Sequence, residues 1–316
     1  MLKEIDIEEY KKKSSPKTFL QEYYWAQLKS LYGYQVRFFE YIPGDKYQSN
    51  FYFFCLIKYK FGFSVAYVPR VANIFTNKDQ IQRFIDCIKN KFFVTLIEFD
   101  NLPDACMKYL DFSKKDIQPS TTFITPIDKD FDISSIKNKV ARKNIRKSTE
   151  NAEKFGWRFE VNKKLNDKDL NMFYKHYLNM TTLKGYNKRE IEYFQRLQEI
   201  IDESIWYVLY DHENKLIMAN YAILHEKTKT NYLLYVARDM NLDKYEISYF
   251  LMYQIFLYLR DIGYQYCDHW GYDLKDPRKY GYSKFKEQFG GIVKNYPKPI
   301  VVGKVDILSK FLSILT

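Results

Sequence analysis

The stretch IWYVLYDHENKLIMANYAILHEKTKTNYLLYV (205–236) holds three apolar runs separated by polar segments, at 205–210, 216–225 and 230–236. These runs are rich in aromatic and β-branched residues, so each is predicted to be a strand. A helix is predicted at 245–262, followed by another strand at 264–270. This alternation predicts a mixed sheet with helices packed on it.

The residues on either side continue the same alternation. Ser134 or Ser135 can cap a helix that runs to about Phe155 and ends at Gly156. The other elements predicted in the second half are a strand at 157–161, helices at 167–184 and 188–201, and a last helix near Ser283. In the first half, helices are predicted at 19–31 and 79–90, and strands at 35–41, 51–59, 63–68 and 92–99. Two similar modules of the α/β (α+β) class, with mixed sheets flanked by helices, are therefore expected.

Composition agrees with a folded protein of two domains. The chain has 316 residues, of which 46% are hydrophobic, with 30 Tyr and 25 Phe. The polar segment 119–132, which contains prolines, is predicted to be a crossover and to hold the domain boundary. The N-terminus lacks the apolar core of a secretory signal. The apolar segment 50–75 is interrupted by three cations, so it is not expected to be a transmembrane helix. The four cysteines lie far apart, without metal-ligand spacing. They are expected to be free thiols in a cytoplasmic protein, and no metal site is predicted.

The net charge of +11 is carried by two segments. Residues 137–147 contain six basic side chains and no acid, and residues 275–298 contain seven basic side chains against two acids. The rest of the chain is neutral in sum. Charge concentrated in this way suits a polyanion, and phosphates are the obvious candidate.

The first basic segment places its cations on one face of the predicted helix, at Lys139, Arg142, Lys143, Arg146 and Lys147. Like charges at this spacing destabilise a helix by roughly 0.2 to 0.5 kcal/mol per pair, so an anion or strong packing is needed to offset the repulsion. Phosphate contact is the favoured interpretation, and a solvated charged face is the alternative.

The second basic segment, KDPRKYGYSKFKEQFGG (275–291), interleaves cations with aromatic residues. Gly281 would allow a tight turn. Phe285 and Phe289, four residues apart, would anchor a short helix that presents Lys284 or Lys286 to a cleft. A surface loop docked by the two Phe residues is the alternative.

Five stretches together resemble the Fem (FemABX-type) family of peptidoglycan-bridge aminoacyltransferases. They are FLQEYYWAQLK (19–29), VAYVPR (65–70), VARKNIRKSTENAEKFG (140–156), REIEYFQRLQ (189–198) and YGYSKFKEQFGG (280–291). The resemblance spans nearly the whole chain. The absence of a sustained heptad segment makes the chain similar to a short form, without the coiled-coil insertion of some members.

The resemblance implies two GNAT-like acyltransferase domains in tandem. The first would comprise residues 1–128 plus 301–316, with the C-terminal segment packing back onto it, and the second residues 129–300. The implied activity is transfer of an amino acid from aminoacyl-tRNA to a side-chain amine of the stem peptide of a UDP-linked or lipid-linked muramyl pentapeptide, by direct aminolysis of the ester. No cofactor and no DNA partner are implied. A basic protein that uses a lipid-linked acceptor could also touch the anionic inner membrane leaflet.

Residue by residue, the resemblance assigns Lys29, Arg189 and Tyr193 to contacts with the nucleotide diphosphate. Phe285 and Lys286 match the pair associated with the transfer step, Asp100 matches a carboxylate of the acceptor cleft, and Tyr235 matches an aromatic residue there. Cations suit a pyrophosphate. Lys286 is expected to neutralise the developing oxyanion or the tRNA 3′ end, and Asp100 to orient and deprotonate the amine. The basic helix is the predicted tRNA contact.

Two other functions stay open. A GNAT-type N-acyltransferase that uses acyl-CoA would need a glycine-rich loop for the pyrophosphate, and the corresponding connection ARDMNLDKYEIS (237–248) has no glycine. A non-catalytic RNA-binding protein would fit the basic helix, although no RNA-binding motif is present. Cys267 and His269 would share a face of their strand, but without a third group they do not make a nucleophilic site.

Overall fold

The computed structural model describes residues 1–44, 49–60, 62–72, 75–89 and 91–303. The chain divides into two compact units, Met1–Ser120 with Asn295–Thr316, and Thr121–Lys294. Within the described ranges, no helix has the length and apolar character required to cross a membrane.

The strands are β1 (Leu2–Ile5), β2 (Gln35–Tyr41), β3 (Phe51–Lys60), β4 (Phe63–Val71), β5 (Val94–Phe99), β6 (Thr121–Pro126), β7 (Arg158–Asn162), β8 (Ser204–Tyr210), β9 (Leu216–His225), β10 (Thr230–Arg238), β11 (Tyr266–Asp268), β12 (Ile292–Asn295) and β13 (Ile300–Gly303). The α-helices are α1 (Ile7–Lys13), α2 (Tyr23–Ser30), α3 (Lys78–Lys89), α4 (Asp104–Met107), α5 (Lys139–Phe155), α6 (Asp167–Lys184), α7 (Ile191–Ile200), α8 (Ile247–Asp261) and α9 (Pro277–Glu287). Short 3-10 turns occur at Phe19–Gln21, Ile133–Ser135, Glu226–Thr228 and Met240–Tyr245.

The first unit is built on a sheet with the strand order β1-β2-β3-β4-β5-β13. Neighbouring strands are antiparallel except for β4 and β5, which are parallel. Alternation along the strands gives the sheet two apolar faces. Phe84 of α3 packs against Phe53 on one face, and Tyr10 of α1 packs against Phe54 on the other. The sheet is therefore covered on both sides.

The second unit has the strand order β12-β6-β11-β10-β9-β8-β7. Its one parallel pair among the described strands is β10 with β11, and β10 also carries a register shift between Leu233 and Tyr235. Trp206 and Tyr207, neighbours on β8, show how the faces are covered: Trp206 contacts Phe173 of α6, and Tyr207 contacts Tyr258 of α8. Helices α6 and α7 thus lie on one face, and α5 and α8 on the other.

The predicted α/β class with mixed sheets and flanking helices is confirmed, and several elements have the predicted bounds. The strands 35–41 and 216–225 and the helix 167–184 begin and end as predicted. Gly156 ends α5 in the left-handed conformation, with φ 63°, also as predicted.

Three predictions were wrong in detail. The predicted helix 19–31 is a 3-10 turn followed by α2, because Glu22 between them is extended. The predicted strand 264–270 is only three residues long. Gly281 does not make a turn but lies inside α9, which begins four residues earlier at Pro277.

The segment 119–132, predicted to be a polar crossover, contains β6. This strand pairs with β11, and its Thr122 and Thr125 hydroxyls form hydrogen bonds to Asp268 and His269. Residues 121–126, placed in the first domain by the predicted limit at 128, therefore lie in the sheet of the second unit. At the other end, β13 pairs with β5 of the first unit.

Candidate functional site

The candidate site begins where the pairing of β10 with β11 ends, after Tyr232 and Asp268. In the segment after Asp268, Trp270 and Gly271 both have left-handed backbone conformations, with φ 49° and 46°. A left-handed conformation is strained for a bulky residue such as Trp, by an amount on the order of 1–3 kcal/mol. Such strain persists only where the surroundings impose it, and the buried carboxylate of Asp268 accepts the Trp270 N–H at 2.8 Å.

Helix α9 brings Lys286 to this segment and carries Phe285 next to it. Asp276 caps the helix by accepting the Arg278 N–H, and Pro277 occupies its first position, where no amide donor is needed. The Phe285 ring packs edge-on against Tyr249 of α8 with the ring centroids 5.0 Å apart, which fixes the rotation of the helix.

The Lys286 ammonium donates to the backbone carbonyls of Trp270 and Gly271 and lies 4.5 Å from the centre of the Tyr282 ring. Burial lowers the pKa of Lys286 to about 7, although the nearby Asp268 carboxylate acts in the opposite direction. The cation is thus held by carbonyl dipoles and by the face of an aromatic ring. At neutral pH it is poised to give up or take a proton.

His269 and Cys267 do not form a reactive pair. Burial, and then the charge of Lys286, lower the pKa of His269 to about 3, so the imidazole is neutral. Its Nε2 lies 2.9 Å from the Thr125 hydroxyl. Burial raises the pKa of the Cys267 thiol, which contacts the Asn231 amide at 3.6 Å. The thiol therefore stays protonated and carries no nucleophilic role.

A second cluster in the same unit unites three residues that the resemblance singled out. The Tyr235 hydroxyl of β10 donates to the Tyr193 hydroxyl of α7 at 3.2 Å, and the Arg189 guanidinium lies 5.2 Å from the centre of the Tyr193 ring. Tyr177 of α6 accepts the Arg189 backbone N–H at 3.1 Å. Burial raises the pKa of Tyr193, so its hydroxyl stays protonated and able to donate a hydrogen bond.

Lys29 and Asp100 lie in the first unit. Lys29 is in the last turn of α2, with its ammonium 4.8 Å from the centre of the Trp25 ring. Asp100 follows the carboxyl end of β5, where its N–H donates to the Val71 carbonyl at 2.8 Å. The loop after α2 leads into the other end of these strands. Gln35, the first residue of β2, pairs with Ile57, which in turn pairs with Ala66 near the start of β4. The two residues therefore mark two different ends of the first unit.

The predicted tRNA contacts on α5 differ in how they are held. Lys139, Lys143 and Arg146 are exposed and have no ion pair among the described residues. The Arg142 guanidinium instead donates to the carbonyls of Ile136 and Lys137. Lys147 lies 3.8 Å from the Glu246 carboxylate. Three of the five predicted cations are thus available to an anion from solvent.

Sequence reasoning missed two residues at these clusters. Tyr177 of α6 is one of 30 tyrosines in the chain, and nothing in the sequence around it indicated a role at the site. Trp270 precedes a glycine, but only the three-dimensional structure shows that its carbonyl faces Lys286. Asp268 and Gly271 lie beside the same ammonium. A search of the described residues finds no group of three His, Cys, Asp or Glu side chains that could hold a metal ion.

The fold defines a class: two units, each a mixed sheet with one parallel strand pair and helices on both faces, as in proteins with GNAT-like domains in tandem. A crystal structure of FemX matches with a TM-score of 0.75 at 16% identity, covering 99% of both chains. The structure of L-PGS from Bacillus licheniformis matches with a TM-score of 0.59 at 12% identity, over 99% of this chain and 98% of that one. A tandem GNAT protein from the clavulanic acid biosynthesis pathway matches with a TM-score of 0.51 at 9% identity, over 95% and 97%.

No protein-family model and no curated protein sequence matches the chain. At these identities the structural matches establish the fold. The chain therefore shares the fold of FemX over 99% of its length, as the resemblance predicted.

Proposed function

We propose that the protein is an aminoacyl-tRNA-dependent aminoacyltransferase that acts on the side-chain amine of a peptidoglycan precursor. The observation that carries the proposal is the position of Lys286, a cation held at the end of the β10–β11 pair with its pKa lowered to about 7. The likeness of fold to FemX supports the same activity.

The reaction requires little beyond alignment and charge neutralisation. The acceptor amine attacks the ester carbonyl of the aminoacyl-tRNA, so a C–N bond forms. The C–O bond to the terminal ribose then breaks, and the amine loses one proton while the ribose oxygen gains one. The tetrahedral intermediate carries an oxyanion, and the Lys286 ammonium would stabilise it. Asp100 would orient the amine and accept its proton.

The acceptor would be bound through both of its ends. Arg189, with Tyr193 and Tyr235 beside it, offers a cation and hydroxyl donors to a phosphate. Lys29 offers a second cation, and the opposite end of the first unit carries Asp100. The phosphates and the acceptor amine of a muramyl pentapeptide are far apart in the molecule. An enzyme that binds it therefore needs one site for the phosphates and a separate site for the amine.

Aminoacyl-tRNA would contact α5 through Lys139, Lys143 and Arg146. These side chains repeat along one exposed face of the helix, as a phosphate backbone requires. In the absence of such a partner, their mutual repulsion would only destabilise the helix.

Use of acyl-CoA fits less well, because the connection that would cradle its pyrophosphate is acidic. Glu246 occupies the N-cap of α8, and Asp239 and Asp243 precede it in the same connection. Although the Glu246 carboxylate caps no helix N–H, negative charge in this connection opposes the binding of a phosphate that the helix dipole would otherwise favour.

The test is transfer of radiolabel from a pool of charged tRNAs to a UDP-linked muramyl pentapeptide, with acetyl-CoA supplied in a parallel reaction. We expect label in the peptide only with charged tRNA, and its loss after RNase treatment. Transfer from acetyl-CoA would replace the proposal with the acyl-CoA function. RNA binding without transfer to either a UDP-linked or a lipid-linked acceptor would favour the non-catalytic function.

Lys286→Met should reduce this transfer by at least about a hundredfold, the usual scale for loss of an oxyanion donor. Lys284→Met is the matched control, because Lys284 lies on the same helix but pairs with Glu287 at the surface. Full turnover by the Lys286 variant would remove Lys286 from the mechanism while leaving the reaction class to the tracer experiment.

A further inference from the structure

Three connections of the first unit meet at one edge of its sheet. They are the loop between α2 and β2, the hairpin between β3 and β4, and the loop between α3 and β5. We call their described residues the loop edge: 31–34, 58–59, 62–64 and 91–93.

The strand register and side-chain contacts show that these connections adjoin one another. The paired residues are Gln35 with Ile57, Tyr59 with Ser64, and Val65 with Val94. The Phe63 and Phe93 rings lie 4.4 Å apart, and the Phe93 N–H donates to the Ser64 hydroxyl. The loop edge is thus one continuous surface.

Large apolar side chains of the loop edge are exposed. Their exposed fractions are 55% for Leu31, 39% for Tyr32, 61% for Tyr59 and 41% for Phe63. The Tyr59 hydroxyl is fixed by Gln35 at 3.1 Å, which leaves its ring facing outward. Apolar side chains gathered on one surface mark an interaction site, whereas single exposed ones do not.

The charge of this surface has one sign. Lys91 is exposed and Lys58 is half-buried, with the Lys58 ammonium 4.3 Å from the centre of the Tyr34 ring. The residues of the loop edge include no Asp or Glu. Glu4, the carboxylate that interacts with Lys91, is already engaged by the Arg37 guanidinium. An anionic partner would meet no repulsion here.

The combination of Tyr, Leu and Phe with Lys is the one that suits a bilayer interface. Tyrosine rings lie at the headgroup level of membranes, while Lys stems lie along apolar surface and their ammonium groups reach anionic headgroups. RNA would favour Arg, whose fork binds phosphate in a bidentate way, and the loop edge has none. Leu31 also offers nothing to a base or a phosphate.

We propose that the loop edge docks the protein on the surface of an anionic lipid bilayer. The loop edge begins two residues after Lys29, whose carbonyl accepts the Tyr34 N–H at 3.3 Å. If Lys29 binds a pyrophosphate, as the proposed function holds, docking would place that site at the level of lipid headgroups and favour a lipid-linked acceptor. The docking itself does not depend on that function.

The test is co-sedimentation of the full chain with vesicles of phosphatidylcholine alone and of an equimolar mixture with phosphatidylglycerol. We expect binding only to the anionic vesicles, and weakening with salt. Since each Lys near such a surface contributes about 1 kcal/mol, Lys58→Gln with Lys91→Gln should weaken binding about 30-fold. Leu31→Ser with Tyr59→Ser should weaken it about tenfold or more by removing buried apolar area.

Matched controls make the same changes elsewhere on the first unit. Lys12→Gln with Lys17→Gln removes two exposed charges, and Tyr109→Ser removes an exposed ring, all outside the loop edge. These variants should bind anionic vesicles as the wild type does. Circular dichroism of every variant excludes unfolding as the cause of a loss.

The proposal would be overturned if the wild type did not bind anionic vesicles at low salt, or if loop-edge and control variants lost binding equally. It would also be overturned if the loop-edge variants lost tRNA binding but kept vesicle binding, which would make the surface an RNA site. Self-association of the wild type that only the loop-edge variants lose would make the surface a contact between two copies of the chain. Transfer to a soluble UDP-linked acceptor should be unchanged in all these variants. If the wild type does not transfer an amino acid to this soluble acceptor, the result counts against the proposed function and not against docking.

Discussion

At the scale of single residues, the chemistry of Lys286 depends on its neighbours. Its ammonium is surrounded by two carbonyls, the Tyr282 ring and the nearby Asp268 carboxylate. None of these contacts replaces full hydration, so the charged form is disfavoured relative to water and the pKa falls to about 7. A lysine with an ordinary pKa would remain an ammonium throughout the neutral range.

The first prediction concerns the pH dependence of the transfer rate. If the ammonium form of Lys286 stabilises the oxyanion, kcat should fall as the pH rises through about 7. Lys286→Arg keeps the charge to far higher pH, so it should lower kcat but abolish this alkaline decline. The measurement is a kcat profile at saturating substrates. A decline that persists unchanged in the Arg variant would assign it to another group.

The second prediction concerns stability. The folded-state pKa of Lys286 lies below the ordinary value of 10.5, so the unfolded chain binds more protons between pH 7 and 10.5. This group therefore makes the protein more stable as the pH rises through that window, by about 2 kcal/mol between pH 7 and 9. Lys286→Met should lack this increment in urea titrations at the two pH values. The same increment in both proteins would show that Lys286 titrates normally.

At the scale of elements, close approach between strands limits which residues the second sheet accepts. Gly291, immediately before β12, has φ 145°, and a Cβ there would lie 2.2 Å from the Ile124 carbonyl oxygen of β6. The backbone of one strand therefore takes the space of a side chain on the other. A Cβ at Gly281, on the surface of α9, would meet no neighbouring group within 4 Å in the described part of the chain.

The third prediction compares these two glycines. Gly291→Ala should destabilise the protein by more than about 2 kcal/mol, because the obstacle is backbone and cannot rotate away. Gly281→Ala should stabilise it by roughly 0.4–1 kcal/mol, since alanine favours the helix and restricts the unfolded chain. Chemical denaturation measures both. Equal effects would mean that β12 moves away from β6 without cost.

The fourth prediction concerns helix α5. Replacing Lys139, Lys143 and Arg146 together by Gln should reduce the slope of log affinity for tRNA against log salt by about 2 to 3, because each cation releases a counterion from a phosphate. The control replaces three exposed lysines of the same unit, Lys164, Lys168 and Lys175, and should leave the slope unchanged. Filter binding over a range of salt concentrations distinguishes the two outcomes.

At the scale of the whole molecule, the chain crosses between its units twice. The first unit receives its edge strand β13 from residues 300–303, after the second unit has been completed. Ile300 and Val302 are buried in the apolar core of the first unit. Integrity of the first unit therefore depends on residues at the far end of the sequence.

The fifth prediction follows from this connection. Ile300→Asn places an amide in the first core and should cost about 3 kcal/mol or more. Hydrogen exchange should then show lost protection in β5, which pairs with β13, while β8 and β9 keep theirs. Val293→Asn on β12, where the side chain is exposed, is the control. Equal loss in both units would mean that they unfold as one.

Much of the fold was predictable because local patterns agree with it. The helix 167–184 carries its cap at Asn166 and its stop at Gly185, and the strand 216–225 is apolar except for Asn220 and the terminal His225. Strand β6 was missed because it is short, ends in a proline and lies in a polar segment. The buried hydroxyls of Thr122 and Thr125 find hydrogen-bond partners in Asp268 and His269, more than 140 residues away.

The candidate site divides in the same way. The sequence by itself determined the alternating elements, the basic face of α5 and the segment around Lys286, because periodicity, capping and charge are local properties. Only the tertiary structure decided that Trp270 and Gly271 hold the Lys286 ammonium, that Tyr177 supports Arg189, and which cations of α5 remain exposed. The pKa of a lysine depends on burial and on groups brought near it by packing, and neither is written in the order of neighbouring residues.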